Sequence, residues 1–164
     1  PRRSGRIVSR GDAVAEKVIV RRARFEELPE LSALLDLLFE IEQDFTPDTG
    51  RQIAGLELML NSPSAELLVA EVDGRPVGLC GLQLLVSTAQ GAYSCHVEDL
   101  VLAPEYRGRG IGRQLLETAA GWAHRRGAAR MQLNCDDKNL PAMKFYGSLG
   151  WKKTHLFNYF KLDF

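Results

Sequence analysis

The fold of this chain is decided by residues 97–112, which read Val97-Glu98-Asp99-Leu100-Val101-Leu102-Ala103-Pro104-Glu105-Tyr106-Arg107-Gly108-Arg109-Gly110-Ile111-Gly112. The apolar start predicts a strand, the glycine-rich centre a loop, and the apolar spacing that follows a long amphipathic helix. The first N–H groups of a helix lack internal partners and lie at the positive end of its dipole, so they attract anions. The glycines let the main chain approach a ligand, and two arginines add positive charge. The stretch therefore predicts a site for a phosphorylated ligand.

Three known phosphate-binding loops can be compared with this one. The P-loop ends in Gly-Lys-Ser/Thr, and no such lysine follows Gly110 or Gly112. The dinucleotide-binding loop needs a glycine where this chain has Arg113, and only 164 − 112 = 52 residues follow Gly112, which is short for a doubly wound fold. The third pattern, Arg-x-x-Gly-x-Gly, is matched by Arg107, Gly110 and Gly112. An ordinary glycine-rich turn between a strand and a helix is the structural alternative.

A second motif follows the next predicted strand, which covers about residues 129–134. It reads Asn139-Leu140-Pro141-Ala142-Met143-Lys144-Phe145-Tyr146-Gly147-Ser148-Leu149-Gly150-Trp151. By itself this pattern indicates a packing helix with Asn139 as its N-cap. Together with the first motif, however, it resembles the GNAT superfamily of N-acetyltransferases. Members of that family carry Arg-x-x-Gly-x-Gly, then Asn-x-x-Ala-x-x-Phe-Tyr and Leu-Gly-Phe/Trp, in this order.

The resemblance covers roughly residues 18–160, with its specific motifs in residues 97–151. It implies an α/β (mixed α+β) fold, in which a central mixed, splayed β-sheet of about six to seven strands is flanked by about four helices. It also implies that acetyl-coenzyme A lies between two parted parallel strands. The residues that the resemblance assigns to coenzyme A are Leu100, Val101 and Leu102 on the strand, Arg107, Gly108, Arg109, Gly110, Ile111 and Gly112 in the loop, and Asn139 and Tyr146 on the later helix.

Two residues are candidates for the catalytic steps. The resemblance makes Tyr146 the general acid that protonates the departing thiolate. An aliphatic ammonium, with a pKa near about 10, must lose a proton before it can attack, and Glu98 is the candidate base. Binding a cationic substrate, or pairing with an arginine, are the alternatives for Glu98. The backbone N–H near Leu100 is a candidate for stabilising the developing oxyanion.

The period of two along a strand predicts which neighbours share the face of Glu98. His96 should lie on that face, as should Leu100 unless a bulge intervenes, whereas Asp99 should face the other way. A proton relay between His96 and Glu98 is therefore one hypothesis. An ordinary strand histidine is the other.

Composition limits the classes of protein to consider. With 164 residues, 45% of them apolar and 26% charged, the chain is expected to form one domain over residues 18–164, after a mobile N-terminal arm of residues 1–17. Basic and acidic residues are equal at 21 each, so neither nucleic acid nor a membrane surface is an expected partner, and no apolar stretch is long enough to span a bilayer.

The three cysteines, Cys80, Cys95 and Cys135, are odd in number and widely spaced. They are expected to be free, mostly buried thiols in the cytoplasm, where disulfides are rare. Neither they nor the three histidines have metal-ligand spacing, so no metal is expected. An acyl-cysteine on Cys95 or Cys135 is the nucleophilic alternative, but no histidine or asparagine lies at a recognisable spacing from either.

Alternating apolar patterns and turn residues predict the remaining elements. These are a strand at 18–23, helices at 26–45 and about 53–61, a hairpin at 67–72 and 77–86, a strand at 93–102, a helix that ends at Gly127, and one or two strands within 154–163. The hairpin implies antiparallel pairing, and the strand–helix–strand order around residue 110 implies a parallel pair.

We therefore expect an acetyl-coenzyme A-dependent N-acetyltransferase that acts by direct attack in a ternary complex. A small-molecule amine is the expected acceptor, and a protein amine and a homodimer are left open. A non-catalytic acyl-coenzyme A-binding or sensor module is the main alternative. A nicotinamide dinucleotide enzyme is a more distant one.

Overall fold

A computed structural model of the protein, which describes residues 17–41, 46–159 and 161, shows a β-sheet with helices on both faces. The strands are β1 (Val18–Arg22), β2 (Ala65–Val72), β3 (Arg75–Ser87), β4 (Ala92–Leu102) and β5 (Ala128–Leu133). The helices are α1 (Leu28–Phe39), α2 (Thr49–Asn61), α3 (Ile111–Arg125) and α4 (Leu140–Ser148). Residues 1–16 of the predicted N-terminal arm lie outside the described part of the chain. The arm and the domain boundary beside it therefore stay predictions.

The sheet is mixed, as the sequence predicts. Its strand order is β1-β2-β3-β4-β5, with antiparallel pairs up to β4 and a parallel pair between β4 and β5. Helix α3 makes the crossover between those two parallel strands. The β2–β3 hairpin turns at Asp73 and Gly74, whose φ angles of 49° and 79° are those of the tight turn that the Asp-Gly pair favours.

Each face of the sheet carries its own apolar core. One face packs on α3 through Cys80, Leu82, Cys95 and Val97, together with helix residues such as Leu115. The opposite face packs on α1 and α2, and the contributing residues include Leu31, Leu35, Leu56, Leu67, Val69, Leu79 and Val101. We call these the α3 face and the α2 face of the sheet.

Cys80 and Cys95 are fully buried free thiols in the core on the α3 face. Burial raises the pKa of the Cys95 thiol to about 11, and it raises that of Cys80 further. A thiol held in its neutral form is a poor nucleophile. Both residues are therefore core thiols, as expected, and the structure does not support an acyl-cysteine on Cys95. Cys135 is only half-buried.

The end of the chain differs from the prediction. The described sheet has five strands instead of six or seven, and residues 151–159 form none. Leu156 and Phe157 are adjacent in sequence and are 76% and 84% exposed, and residues 152–159 as a whole bury no apolar face. A strand without a buried face or a paired neighbour has little to stabilise it.

The first helix is shorter than predicted. Residues 25–27 form a 3-10 turn, and α1 begins at Leu28 with Pro29 in its first turn, where proline is tolerated because its missing N–H needs no partner there. The helix ends at Phe39, and Ile41, which continues the apolar spacing in sequence, is 40% exposed. Residues 42–45 of the predicted helix lie outside the described part of the chain.

Candidate active site

Strands β4 and β5 separate part of the way along their length. Their parallel pairing ends at Val97 and Leu133, whereas the pairing of β4 with β3 continues to Leu102 and Gly78. Over residues 98–102, no strand in the described part of the chain pairs with the edge of β4 that faces β5. This separation is the splayed sheet that the family resemblance implies.

The direction of the main-chain groups along the open edge follows from the strand's alternation. The N–H of Ala103 donates to the carbonyl oxygen of Val77 in β3 at 2.9 Å. Two residues earlier, the main chain of Val101 also points to β3, so the N–H and C=O groups of Leu100 and Leu102 point into the gap. Among the three strand residues assigned to coenzyme A, Leu100 and Leu102 thus present backbone hydrogen-bonding groups, while the Val101 side chain fills the core on the α2 face.

A β-bulge lies at the point where the strands separate. Two residues of β4, Glu98 and Asp99, lie opposite Gly81 of β3. The flanking register pairs are Cys80 with Leu100 and Leu82 with Val97. Because of the extra residue, Glu98 and Leu100 no longer share a face.

The bulge overturns the predicted direction of Asp99. A Cβ atom built on Gly81 would lie 2.9 Å from Cε of Met59 in α2 and 3.7 Å from Oδ2 of Asp99. Asp99 therefore points to the α2 face, where Glu98 also lies, and Leu100 packs on the α3 face. The prediction that Asp99 faces away from Glu98 is wrong. No signal in the sequence marks the bulge, because plain alternation gives the opposite direction.

Glu98 has two polar neighbours on the α2 face. Its Oε2 lies 3.4 Å from Nε2 of His96 and accepts a hydrogen bond from Nε2 of Gln83 at 3.3 Å. The side chain of Glu98 is 49% exposed and that of His96 17%. The predicted shared face of His96 and Glu98 is confirmed. In the described part of the chain Glu98 pairs with no arginine, so that alternative is not supported.

The loop before α3 bends at two glycines with left-handed backbone. Gly108 and Gly110 have φ angles of 72° and 80°, a region that favours glycine. Gly110 immediately precedes α3, and no side chain caps this helix start. The first N–H groups of α3, including those of Ile111 and Gly112, are therefore available to an outside acceptor.

Gly112 has a different structural role from the other two glycines. It is buried in the first turn of α3, and a Cβ atom there would lie 3.2 Å from Cζ of Phe145 in α4. Its small size therefore brings α3 and α4 together beside the gap. The sequence predicts three equivalent glycines, whereas the structure gives two to the turn and one to packing.

The two loop arginines are exposed and have intramolecular contacts. Nε of Arg107 donates to the carbonyl oxygen of Leu102 at 3.0 Å, which ties the loop to the end of β4. The guanidinium of Arg109 lies over the ring of Tyr106, 5.1 Å from its centroid. This distance is within the range of a cation–π contact.

Helix α4 starts as predicted. Oδ1 of Asn139 accepts a hydrogen bond from the N–H of Ala142 at 3.1 Å, so Asn139 is the N-cap. The cap uses the side-chain oxygen and leaves the amide NH₂ group for a ligand. Tyr146 packs against the core on the α3 face, with its ring centroid 5.4 Å from that of Phe145 and 5.9 Å from that of Trp151.

One open cleft is lined by three of the candidate site residues, Glu98, Asn139 and Tyr146. Glu98 and Asp99 reach its lining from the α2 face, and Tyr146 reaches it from an element packed on the α3 face. Asn139 and Arg113 also line it, as does Cys135. Residues 100–102 and 107–112 are not part of this lining. The two candidate catalytic residues, Glu98 and Tyr146, thus both lie in the lining of this cleft.

Two further structural tests concern metals and membranes. No group of three or more His, Cys, Asp or Glu side chains in residues 17–41, 46–159 and 161 is placed to hold a metal ion. No helix within those same ranges has both the length and the apolar character needed to cross a membrane. The expectation that the protein uses no metal stays a prediction.

The chain belongs to the GNAT family of acetyltransferases, whose family model matches residues 32–151. It is 28% identical to a putative [ribosomal protein bS18]-alanine N-acetyltransferase of Bacillus subtilis, over 82% of this chain and 80% of that protein. It is also 28% identical to an aminoalkylphosphonate N-acetyltransferase of Salmonella typhimurium, over 83% of this chain and 86% of that one. Among solved structures, an aminoglycoside N-acetyltransferase AAC(6')-Iy in complex with CoA superposes with a TM-score of 0.77 and 18% identity, over 95% and 99% of the two chains.

The protein is therefore an N-acetyltransferase, an enzyme that transfers an acetyl group to an amine. Enzymes of this family take the acetyl group from acetyl-coenzyme A. The sensor-module alternative is not favoured, because both relatives are named as N-acetyltransferases. The fold shared with the aminoglycoside enzyme matches the mixed, splayed sheet that the sequence predicts.

Proposed function

We propose that this enzyme transfers the acetyl group of acetyl-coenzyme A to a small-molecule primary amine by direct attack in a ternary complex. One observation supports the proposal above the others. The open edge of β4 lies directly before a loop that ends at the uncapped start of α3. A ligand with an extended amide-bearing arm and a pyrophosphate needs those two features in that order.

The proposed coenzyme A site uses main-chain groups first. The C=O group of Leu100 and the N–H group of Leu102 pair with the pantetheine arm as a neighbouring strand would, and Val101 between them keeps the strand packed. The N–H groups of residues 107–112 bind the pyrophosphate. The NH₂ group of Asn139 contacts the pantetheine or phosphate region.

Three groups of the chain act in the proposed chemistry. Bound acetyl-coenzyme A supplies the acetyl group in activated form, as a thioester. Glu98 removes a proton from the acceptor ammonium, and the N–H of Leu100 donates a hydrogen bond to the thioester oxygen as negative charge develops there. The hydroxyl of Tyr146 gives a proton to the departing thiolate.

Two carboxylates lie side by side on the proposed acceptor side of the site. Glu98 and the neighbouring Asp99 both lie on the α2 face because of the bulge, and both line the cleft. Two adjacent carboxylates favour a cationic ligand over an anionic one. The named acceptors of the relatives include a ribosomal protein alanine and an aminoalkylphosphonate. We propose a small amine, and we place the enzyme in the cytoplasm because its three cysteines are odd in number and widely spaced in the sequence.

An acceptor screen tests the proposed reaction. Free thiol released from acetyl-coenzyme A is followed with amino acids, polyamines, aminoglycosides and a peptide with a free N-terminal amine. Beforehand, a thermal-shift assay compares coenzyme A with NAD, since a ligand at a hundredfold excess over its Kd stabilises the folded state by about 2.7 kcal/mol. Stabilisation by NAD alone would contradict the proposal. Preference for the peptide over every small amine would correct the acceptor class.

The substitution Glu98→Gln tests the base. It keeps size and polarity but cannot accept the proton, so we expect kcat/KM to fall by about 10²-fold and the acidic limb of its pH profile to disappear. Glu57→Gln, at an exposed position of α2, is the matched control. If instead only KM for the amine rises and the acidic limb persists, Glu98 binds the substrate and another group is the base.

A further inference from the structure

Two polar side chains in the described part of the chain contact the Glu98 carboxylate, and both contact the same oxygen. Nε2 of His96 and Nε2 of Gln83 both lie within 3.4 Å of Oε2. No described residue contacts Oε1 with a hydrogen bond or an ion pair. Among the described residues, the carboxylate is thus held at Oε2 only, and Glu98 lies in the lining of the cleft.

The surroundings of His96 determine which of its nitrogens carries the proton. Nδ1 is buried and has no hydrogen-bond partner among the described residues. A neutral imidazole has one N–H donor and one acceptor nitrogen, and a buried N–H without a partner is costly. The proton therefore belongs on Nε2, which can then donate to Oε2 of Glu98.

The sheet fixes the positions of both neighbours. His96 and Gln83 are cross-strand partners in β4 and β3, so their side chains are adjacent on the α2 face. Glu98 follows on the same face because the bulge begins there. A half-exposed glutamate on its own would sample many rotamers, and two donors at one oxygen restrict them.

We propose that His96 and Gln83 are positioning residues that orient Glu98 through Oε2, so that Oε1 faces the acceptor amine. This inference rests on the proposed role of Glu98 as the base. In the step concerned, the acceptor N–H bond breaks, the proton goes to Oε1, and the electron pair stays on the amine nitrogen. His96 keeps its own proton throughout, which separates this arrangement from a relay in which His96 takes up the substrate's proton.

A double-mutant cycle tests the proposal with the amine that gives the fastest thiol release in the acceptor screen. His96→Phe keeps an aromatic ring but removes the donor, and His96→Gln keeps an N–H donor. We expect His96→Phe to lower kcat about tenfold with little change in KM, and His96→Gln to restore most of the loss. In the Glu98→Gln background, His96→Phe should have no further effect on kcat.

Controls separate positioning from a purely structural role. Tyr93→Phe removes a polar group from the same strand on the opposite face and should leave kcat unchanged. Gln83→Leu provides a second variant in case His96→Phe does not fold. It should lower kcat in the protein that has Glu98 and have no further effect on kcat in the Glu98→Gln background. A nitrogen-15 NMR spectrum of the histidine side chains should show His96 with its proton on Nε2.

Several outcomes would overturn the inference. They are an unchanged kcat in His96→Phe, an equal loss in both Glu98 backgrounds, no rescue by His96→Gln, or a proton on Nδ1. If Glu98→Gln itself leaves kcat and its pH profile unchanged, the proposed base is wrong and the positioning role falls with it. The single Glu98→Gln variant therefore distinguishes failure of the proposed function from failure of this inference alone.

Discussion

At the scale of single residues, the surroundings of Tyr146 bear most directly on its proposed role. Its ring packs between those of Phe145 and Trp151, and it lines the cleft that Glu98 lines from the other face. A ring held by two neighbours keeps its hydroxyl in a fixed place, which a proton donor to a leaving group requires. The same packing would also suit a residue that only fills space, and substitution of the hydroxyl alone separates the two.

The variant Tyr146→Phe keeps the packing and removes the hydroxyl. We expect kcat to fall by about 10²-fold while the Kd for coenzyme A changes little, because the lost interaction exists only in the transition state. Steady-state kinetics and isothermal titration measure the two quantities. Tyr159→Phe, at a site that is 89% exposed, is the control. An unchanged kcat, with chemistry shown to be rate-limiting, would assign Tyr146 to packing.

At the scale of elements, the start of α3 combines a turn, an uncapped helix terminus and a contact with α4. Gly110 supplies the left-handed residue before the helix, and Gly112 lets Phe145 approach it. Neither function depends on Arg109, whose guanidinium stacks on Tyr106 at the surface. The affinity for coenzyme A should therefore depend on the backbone of this element more than on that charge.

Substitutions in the loop test whether the affinity for coenzyme A depends more on the backbone than on the charge of Arg109. Gly110→Val should weaken coenzyme A binding more than Arg109→Ala, because a β-branched residue at a φ of 80° distorts the loop. Gly112→Val should also weaken it, since the Cβ atom would meet Phe145 at 3.2 Å and displace α4. Isothermal titration with coenzyme A measures each Kd.

The matched control lies at the other end of the same helix. Gly127 has the same φ of 80° and, like Gly110, has nothing within 4 Å of a built Cβ atom. Gly127→Val should therefore cost stability as Gly110→Val does, without the loss of coenzyme A affinity. If Gly110→Val, Gly112→Val and Arg109→Ala all bind equally well, the loop is only a turn.

At the scale of the whole molecule, a cluster of ion pairs connects the edge strand β1 and its neighbour β2 to the turn before α1. Arg21 of β1 donates hydrogen bonds to Glu27 before α1 and to Glu71 of β2. The hydrogen bond from Arg21 holds the pKa of the Glu27 carboxyl at about 2, well below its ordinary value of 4.5. Glu27 is buried, so its charge depends on these partners.

The sign of the resulting pH dependence follows from the lowered pKa. A carboxyl with a lowered pKa in the folded state stabilises the fold above its unfolded pKa, and the contribution is lost as pH falls from about 4.5 to about 2. Glu27→Gln should lower the free energy of unfolding by about 2 kcal/mol at pH 7. Urea unfolding at several pH values should show the difference from the unsubstituted protein shrinking through that window. Glu57→Gln is the exposed control, and a difference that does not vary with pH would contradict the assignment.

Much of the fold and part of the site could be predicted from the sequence, because these features depend on interactions between residues close together in the chain. Asp73-Gly74 predicts the hairpin, the glycines predict the loop before α3, and Asn139 predicts the start of α4, and the structure has all three. Each depends on backbone conformations or caps set within a few residues. The same is true of the shared face of His96 and Glu98, which needs only strand alternation up to the bulge.

Other features depend on contacts between residues that are distant in the sequence, and they became known only from the tertiary structure. The bulge that brings Asp99 beside Glu98 arises from the register between β3 and β4, in which Gly81 leaves room for Met59 and Asp99. Residues 152–159 are all exposed and bury no apolar face, and α1 ends where its apolar stripe no longer meets a core. Register and burial are properties of paired surfaces, so neither can be obtained from a periodicity within one segment.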